Sequence, residues 1–388
     1  MIDAQIIIPP SPFLTNDWVF PPLGSLYIKR FCEERSLGEM RINVVQIGKK
    51  GVKLDHSLPT GFSCTTPQYA GALAAKFLFT GKKIVGGPHC AHYDVSKDGW
   101  DFVIKGDGCH AFYSILRGLP ITNTLDSPDQ LPYRDESLHK YKYLLDGNPT
   151  TVIMSARGCP NGCYFCEDAG TAVRLKSPMA VKKELKECVR LGFTGIMFFD
   201  DLFCINPRRV EKLCEVIEPF KIKFRCFAHA RNFSNEMAAT LKDAGCVEIG
   251  FGAESASQRV LDNINKRTTV QQNYEIVKLA HTHGIRVKAF TMLGLPGDDE
   301  ESAAALEKYV TTSGVDDFDV SIYMPYQGTY IAEHAAELGY EFTTQDGICG
   351  YYKGKDGSSE CAVSLKGFPL DRIKYWQERI ISGKTTHL

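Results

Sequence analysis

The chain has 388 residues, 44% of them apolar and 23% charged, with 45 basic side chains against 46 acidic ones. That is enough chain for two or three cores, and a net charge of −1 excludes a global field drawing the molecule to nucleic acid or an anionic membrane. The opening MIDAQIIIPPSPFLTND has no basic n-region, and no apolar run reaches spanning length. Neither a signal peptide nor a membrane anchor is expected, and a cytoplasmic location follows by default.

In chain order, the apolar run at 6–8 reads as a buried parallel strand. It is followed by a loop rich in proline (Pro9, Pro10, Pro12) and a helix to about residue 35 that opens at Pro21-Pro22-Leu23-Gly24. Strands are expected at 42–47, at 61–64, at 83–85 and at 102–104. The third leads through Thr65-Thr66-Pro67 into a helix over 68–79; the fourth ends in Gly86-Gly87-Pro88-His89 and the fifth in Gly106-Asp107-Gly108. Glycines and hydroxyls fall where strands end, which is where an open parallel sheet takes ligands. Residues 1–120 therefore read as a doubly wound, Rossmann-like α/β domain, and the polar, turn-rich segment 121–150 as a linker.

A second alternation starts at Thr151. Strands are expected at 151–155, 195–199, 223–227, 247–250, 286–292 and 318–322, with helices at 179–191, 207–220, 235–244, 258–264, 270–283 and 300–313. Six such units over 151–330 suggest a partial (β/α)6 barrel with its site at the C-terminal ends of the strands. Residues 331–388 form a short Gly- and Tyr-rich cap ending in a helix near 370–381.

Of fourteen cysteines, eleven are scattered and read as small buried hydrophobes. Cys159, Cys163 and Cys166 are bunched in Ser155-Ala156-Arg157-Gly158-Cys159-Pro160-Asn161-Gly162-Cys163-Tyr164-Phe165-Cys166, on the loop after the first strand of the second series. Three thiolates on a loop with two glycines and a proline can wrap one face of a 4Fe–4S cube and leave the fourth iron open to a chelating ligand. The alternatives are a zinc site, which usually brings paired CxxC motifs, and plain core cysteines, which sit poorly on a loop of this composition.

This CxxxCxxC motif, with Phe165 before its last cysteine, resembles the radical SAM superfamily signature. Further motifs fall at later strand ends: Phe199-Asp200-Asp201, then Arg231, then Glu254-Ser255, then Gly294-Leu295-Pro296-Gly297. The resemblance implies that Cys159, Cys163 and Cys166 ligate the cluster. It further implies that Phe165, Asp200, Asp201, Arg231, Glu254, Ser255, Gly294, Leu295 and Pro296 bind S-adenosylmethionine (SAM). The chemistry is consistent: SAM presents an amino group, a carboxylate and ribose hydroxyls, which suit carboxylates and a guanidinium.

The N-terminal domain resembles the cobalamin-binding domain of class B radical SAM enzymes, through Val19-Phe20-Pro21-Pro22-Leu23-Gly24, Cys64-Thr65-Thr66-Pro67-Gln68, Gly86-Gly87-Pro88-His89 and Gly106-Asp107-Gly108. That implies a corrin held by Pro22, Leu23, Gly24, Ser63, Thr65, Thr66, Gly86, Gly87, Pro88, His89, Gly106, Asp107 and Gly108, with Trp18 covering its lower face. The DxHxxG signature of a histidine ligand to cobalt is absent, so His89 is read as structural. The alternative is a vestigial module that binds nothing.

The two resemblances together imply a cobalamin-dependent radical SAM methyltransferase. It would act on an unactivated carbon through a 5′-deoxyadenosyl radical and methylcobalamin, fed by an electron donor such as ferredoxin or flavodoxin. A non-methylating rearrangement or cyclisation and a non-catalytic corrinoid or metal carrier stay open. The substrate is a protein or peptide side chain or a small molecule. The PPSPFL…VFPPLG stretch resembles the archaeal enzymes that C-methylate a side chain of methyl-coenzyme M reductase, for example a glutamine. Tyr323, Tyr326, Tyr351 and Tyr352 are candidate cavity-lining residues.

Overall fold

The run without polar alternation at 6–8 needs cover on both faces, and the computed structural model gives it that. The structure describes residues 2–11, 16–47, 54–122, 125–342 and 363–383. It divides into two units, Met1–Tyr143 and Leu144–Leu388. Strand β1 (Ile2–Ile8) lies inside a five-stranded sheet of order β2-β1-β3-β4-β5, with β2 at Met40–Gln46, β3 at Thr60–Ser63, β4 at Lys83–Gly86 and β5 at Phe102–Val103. Every pairing is parallel. Ala4, Ile6, Ile42, Ile84, Phe112 and Ile115 make a core on one face, under α1 (Leu23–Arg35) and a helix at Cys109–Arg117. Ile7, Phe62, Val85, Phe79 and Trp100 make the core on the other. The 2-1-3-4-5 order is a doubly wound sheet whose topological switch lies between β1 and β3.

The helix expected over 68–79 is shorter. Here α2 is Tyr69–Ala75, flanked by single 3-10 turns at Thr66–Gln68 and Lys76–Leu78, because Pro67 and the capping contact of Gln68 on Thr65 tighten the entry. Two helices at strand ends escaped the sequence reading: α3 (Pro88–His92) and α4 (Cys109–Arg117). Nor are residues 121–150 a free surface linker. They carry a 3-10 turn at Glu136–Lys140 and strand β6 (Tyr143–Leu145), and they bury Asp126, Arg134, Leu138 and Tyr141. Arg30 Nη1 reaches Pro132 O and Gln130 Nε2 reaches Tyr27 O, so this segment is laid along α1.

The second unit holds a seven-stranded curled sheet, a half-barrel, of order β14-β13-β12-β11-β10-β7-β6. Its six parallel strands are β7 (Asn148–Ile153), β10 (Gly195–Phe198), β11 (Lys223–Ala228), β12 (Cys246–Glu254), β13 (Arg286–Leu293) and β14 (Asp317–Ile322). Between β7 and β10, a short antiparallel pair, β8 (Ala156–Arg157) and β9 (Arg174–Leu175), was not anticipated. The helices α5 (Pro178–Arg190), α6 (Pro207–Ile217), α7 (Asn235–Asp243), α8 (Gln258–Asn263), α9 (Val270–Thr282) and α10 (Glu300–Thr312) fall close to where periodicity puts them.

Period two assigns the faces. Phe224, Cys226 and Ala228 of β11, and Val287, Ala289, Thr291 and Leu293 of β13, are buried on the helix side. Arg225, Phe227, Lys288 and Phe290 point to the concave side. There Glu248 pairs with Arg225 (3.2 Å), and Lys288 with Asp317 (2.8 Å) and Asp319 (3.0 Å). Past a short helix α11 (Tyr330–Glu333), a strand pair β15 (Tyr340–Phe342) and β16 (Val363–Leu365) leads into α12 (Leu370–Ser382). That helix is fastened to β14 by Gln377 Nε2 on Val320 O and to α10 by Arg372–Glu300 and Arg379–Glu307 pairs. Tyr351 and Tyr352 lie outside the described residues, as does part of the PPSPFL stretch. Among the described residues no helix is long and apolar enough to cross a membrane.

Candidate active site

The cysteine loop begins at a neck. β8 and β9 pair Ala156 with Leu175 and Arg157 with Arg174, so the loop between them leaves and returns at one place. Gly158 turns the chain out of the neck at φ +86°, and a Cβ there would sit 2.5 Å from Ala172 O, so glycine is required on both counts. Cys159 N–H donates to Thr171 Oγ1 (3.0 Å), Gly170 N–H to Asn161 O (2.7 Å), and Cys166 N–H to Cys163 O (3.1 Å).

Two distant segments clamp the loop. Asn265 Nδ2 donates to Gly162 O (2.6 Å) and Tyr164 N–H to Ile264 O (3.0 Å). From the other side, Ile331 N–H donates to Tyr164 O (3.2 Å), and the Tyr164 and Tyr330 rings stack at 4.1 Å.

The three thiols are free, and Cys163 is buried while Cys159 and Cys166 are half-buried. They stand close enough for each to disturb the next one's ionisation. Burial pushes the Cys166 thiol up to about 12 and raises Cys163 as well, with Lys266 pulling Cys163 the other way. Yet no three His, Cys, Asp or Glu side chains among the described residues are grouped as ligands of one metal ion. Three thiols carried on one short loop are a donor set that suits three corners of a cluster.

The carboxylates expected at the next strand end have distinct surroundings. Asp200, 1% exposed, accepts from Ser155 N (2.6 Å) with one oxygen and from the Ser155 hydroxyl with the other. Burial raises its carboxyl to about 6 against those hydrogen bonds. Both oxygens therefore hold the stem of the neck, and Arg209 braces the same stem through Ser155 O (3.1 Å) and Lys176 O (2.6 Å). Asp201 accepts from Gly158 N (2.8 Å) and remains exposed as a residue.

Arg231, exposed after β11, reaches Asn161 Oδ1 of the cysteine loop (3.4 Å). Glu254 ends β12 at a register shift with φ +58°, and its buried carboxylate takes the buried Lys266 ammonium at 2.7 Å. Burial lowers the Lys266 pKa, but Glu254 and Cys163 more than offset it, and the ammonium stays charged. Lys266 also lies 5.7 Å over the Phe165 ring. A Cβ on Gly252 would fall 2.0 Å from Glu254 Oε1 and 2.8 Å from Lys266 Nζ. Ser255 is buried, and its hydroxyl accepts from Ser257 N (3.1 Å).

Gly294-Leu295-Pro296 is a closed turn: Gly294 O accepts from Tyr340 Oη (2.6 Å), Leu295 N–H donates to Asp298 (3.0 Å), and Pro296 O accepts from Asn263 Nδ2 (3.1 Å). Much of the backbone expected to meet an adenine is thus bonded within the protein. Lys266, Asn265, Ser155, Asn161 and His229 were not anticipated. Of these, Ser155 and Asn161 lie within the cysteine-loop motif, and His229 follows Arg225 and Phe227 in the concave-side alternation.

In the first unit the loops expected to cradle a corrin are joined at the sheet's C-terminal edge. Cys64 N–H donates to Gly86 O (3.1 Å) and His89 N–H to Cys64 O (3.3 Å). Gly87, at φ +101°, would place a Cβ 2.6 Å from Cys64 O. Gln68 Nε2 ties the same loop to Pro9 O (2.6 Å), at the switch between β1 and β3. The Thr65 hydroxyl is turned to Gln68 and the Thr66 hydroxyl to His89 Nδ1 (3.2 Å). His89 is stacked between Tyr69 (4.1 Å) and Tyr93 (4.4 Å), and burial takes its pKa down to about 4.

Ser63 pairs in register with Gly86, and Pro88 opens α3. Pro22 caps α1, with Leu23 buried and Gly24 facing open space, as Gly106 does. Asp107 accepts from Asp126 N (2.9 Å), and at Gly108, which caps α4, a Cβ would fall 2.9 Å from Ile28 Cδ1. Trp18 stacks on Tyr141 at 5.4 Å, under Lys140.

Residues 153–310 match the family model of the Radical SAM superfamily. An uncharacterized methyltransferase of Pyrococcus horikoshii is 30% identical over 227 residues, 57% of this chain and 50% of that one. The bacteriochlorophyllide d C-12(1)-methyltransferase of Chlorobaculum tepidum is 26% identical, over 53% of this chain and 46% of its own. The chain thus spans about half the length of these curated relatives. Among solved structures, the radical SAM methyltransferase TsrM of Kitasatospora setae, with tryptophan and a SAM analogue bound, superposes with a TM-score of 0.72. It covers 99% of this chain and 89% of that one at 13% identity, a likeness of fold.

Proposed function

We propose that this chain, whose residues 153–310 form a radical SAM domain, is a cobalamin-dependent radical SAM methyltransferase acting on an unactivated carbon. The observation that carries the reading is the clamped three-thiol loop, set at the strand ends of a parallel half-barrel beside a buried Glu254–Lys266 pair. When bound, a 4Fe–4S cluster with one open iron supplies the electron that splits SAM to an organic radical, and a methylated corrinoid supplies the methyl group.

The residues then divide the work. Cys159, Cys163 and Cys166 hold the cluster. Asp200, Ser155 and Arg209 fix the neck from which their loop hangs, and Asn265 and Tyr330 hold its far side. Arg231, beside Asn161, suits the SAM carboxylate, and Glu254, held by Lys266, suits its polar hydrogens. Phe165 lies under Lys266, and Ser255 and the Gly294–Pro296 turn bound the nucleoside end. In the first unit, Gly24, Ser63, the 64–68 and 86–89 loops and Gly106–Gly108 would hold the corrin, with His89, held between two tyrosines, shaping the loop. The substrate class follows the sequence resemblance, a protein side chain such as a glutamine of methyl-coenzyme M reductase, and the electron donor is a ferredoxin or flavodoxin.

Anaerobic reconstitution tests the reading. The wild type should take up about four irons and four sulfides, and Cys163→Ala should lose most of them. With SAM labelled in its methyl group, a reductant and a glutamine-containing peptide, the label should appear on carbon. Labelled carbon supports the methyltransferase; turnover to unlabelled product would replace it with a rearrangement or cyclisation. Zinc bound in place of iron would mark a carrier.

A further inference from the structure

His229, the residue after β11, continues the concave-side series of Arg225 and Phe227. Its side chain is a neighbour of the proposed SAM site without a part in it so far. The ring is buried, at 6% exposure. Nδ1 accepts the backbone N–H of Arg231 at 3.4 Å, which puts the ring proton on Nε2. Nε2 is fully buried and has no hydrogen-bond partner among the described residues. A buried donor in that condition is uncommon, and at a ligand site it marks where a ligand acceptor belongs.

The surroundings say what kind of acceptor. His229 feels the charges of both Lys266 and Arg231; Lys266 is paired with Glu254, which leaves Arg231 as the cation facing a ligand there. Arg231 reaches Asn161 of the cysteine loop, and Lys266 acts on Cys163 and Cys166. His229 therefore belongs to the cluster end of the site. The closed Gly294–Pro296 turn, bound instead to Tyr340 and Asn263, belongs to another part of it.

Resting on the radical SAM reading above, we infer that His229 is a binding residue whose Nε2–H donates to the carboxylate of SAM, beside Arg231. Burial and the two neighbouring cations take the ring's pKa down to about 3, so it donates as a neutral group and adds no third positive charge. A neutral donor there gives direction to a carboxylate that Arg231 attracts by charge.

The test uses full-length, anaerobically reconstituted protein and two ligands, SAM and its decarboxylated analogue, with dissociation constants from equilibrium dialysis. His229→Phe keeps the ring and removes the donor; His229→Gln returns an N–H. The phenylalanine variant should keep wild-type iron and sulfide and bind SAM about tenfold more weakly, the loss expected for one charge-assisted hydrogen bond. Its affinity for the decarboxylated analogue should be unchanged, and His229→Gln should recover part of the loss for SAM. Equal weakening for both ligands, or none for SAM, would overturn the assignment. Should the wild type with a full cluster fail to bind SAM, the underlying reading falls and this inference with it. If His229→Phe loads no cluster, His229→Leu, which also removes the donor, carries the same comparison, and an unchanged preference for SAM over the analogue would again overturn it.

Discussion

Glu254 combines a left-handed backbone at φ +58° with a buried carboxylate, two features that each cost stability. A non-glycine residue held there stores about 1–3 kcal/mol, and a buried ion pair such as Glu254–Lys266 adds little net stability to offset it. The SAM site proposed there would explain why the arrangement is kept, and Gly252 leaves room for the pair itself, since a Cβ would collide with both of its side chains. Asp200 is the opposite case, a buried carboxylate with protein donors on both oxygens. Its pKa is raised from 3.8 to about 6 by burial, so the folded state holds the proton more tightly than the unfolded chain. The stability this contributes is complete below pH 3.8 and is lost as pH climbs through 6. Compared with Asp200→Asn, the wild type should therefore gain about 1 kcal/mol of relative stability when pH falls from 7 to 5. Urea titrations at both values check it, and a pH-independent difference would show that Asp200 stays ionised throughout.

At the scale of the element, the cysteine loop is an insertion tied off at its neck and pinned at its far side. The pin should be measurable. Asn265 sits at φ +51°, donates to Gly162 O and accepts from Arg267 Nε (3.1 Å), so Asn265→Ala loses both hydrogen bonds and strains the backbone, whereas Asn265→Gly loses the bonds without that strain. Both variants, once reconstituted, should release iron to a chelator several-fold faster than wild type, with the glycine variant the less destabilised. Wild-type release rates in both would show that the loop needs no pin. Local pattern made much of this region readable in advance: glycines and hydroxyls at strand ends, apolar runs of strand length, and a cysteine spacing with few meanings. The pin itself was unreadable, because it joins residues 103 positions apart through one amide and one carbonyl. The use of Asp200 was equally hidden: at a strand end a carboxylate can face ligand or neck, and only its contact with Ser155 decides. The Thr65 and Thr66 hydroxyls show the same ambiguity, since both turn to partners in the first unit.

On the scale of the whole molecule, two sheets of different design each carry their loops at strand C-terminal ends, one wound 2-1-3-4-5 and one curled into a half-barrel. Within each unit the candidate residues are joined by their own hydrogen bonds, Cys64 to Gly86 and His89 in the first and Gly162 to Asn265 in the second. Loading of the two cofactors should therefore separate. Gly87→Ala introduces a Cβ 2.6 Å from Cys64 O at φ +101°, a strain that moves the 64–68 and 86–89 loops apart. It should weaken hydroxocobalamin retention at least tenfold and leave iron, sulfide and SAM binding as in the wild type. Cys163→Ala should do the reverse, losing the cluster and keeping cobalamin. Both variants are made in the full chain and scored by the corrin absorption and by iron and sulfide content after gel filtration. If Gly87→Ala also empties the cluster site, loading is coupled between the units. If it leaves cobalamin in place, the 86–89 turn is scaffold, and the corrin must be held by the Gly24 and Gly106–Gly108 segments, whose glycines at 24 and 106 face open space.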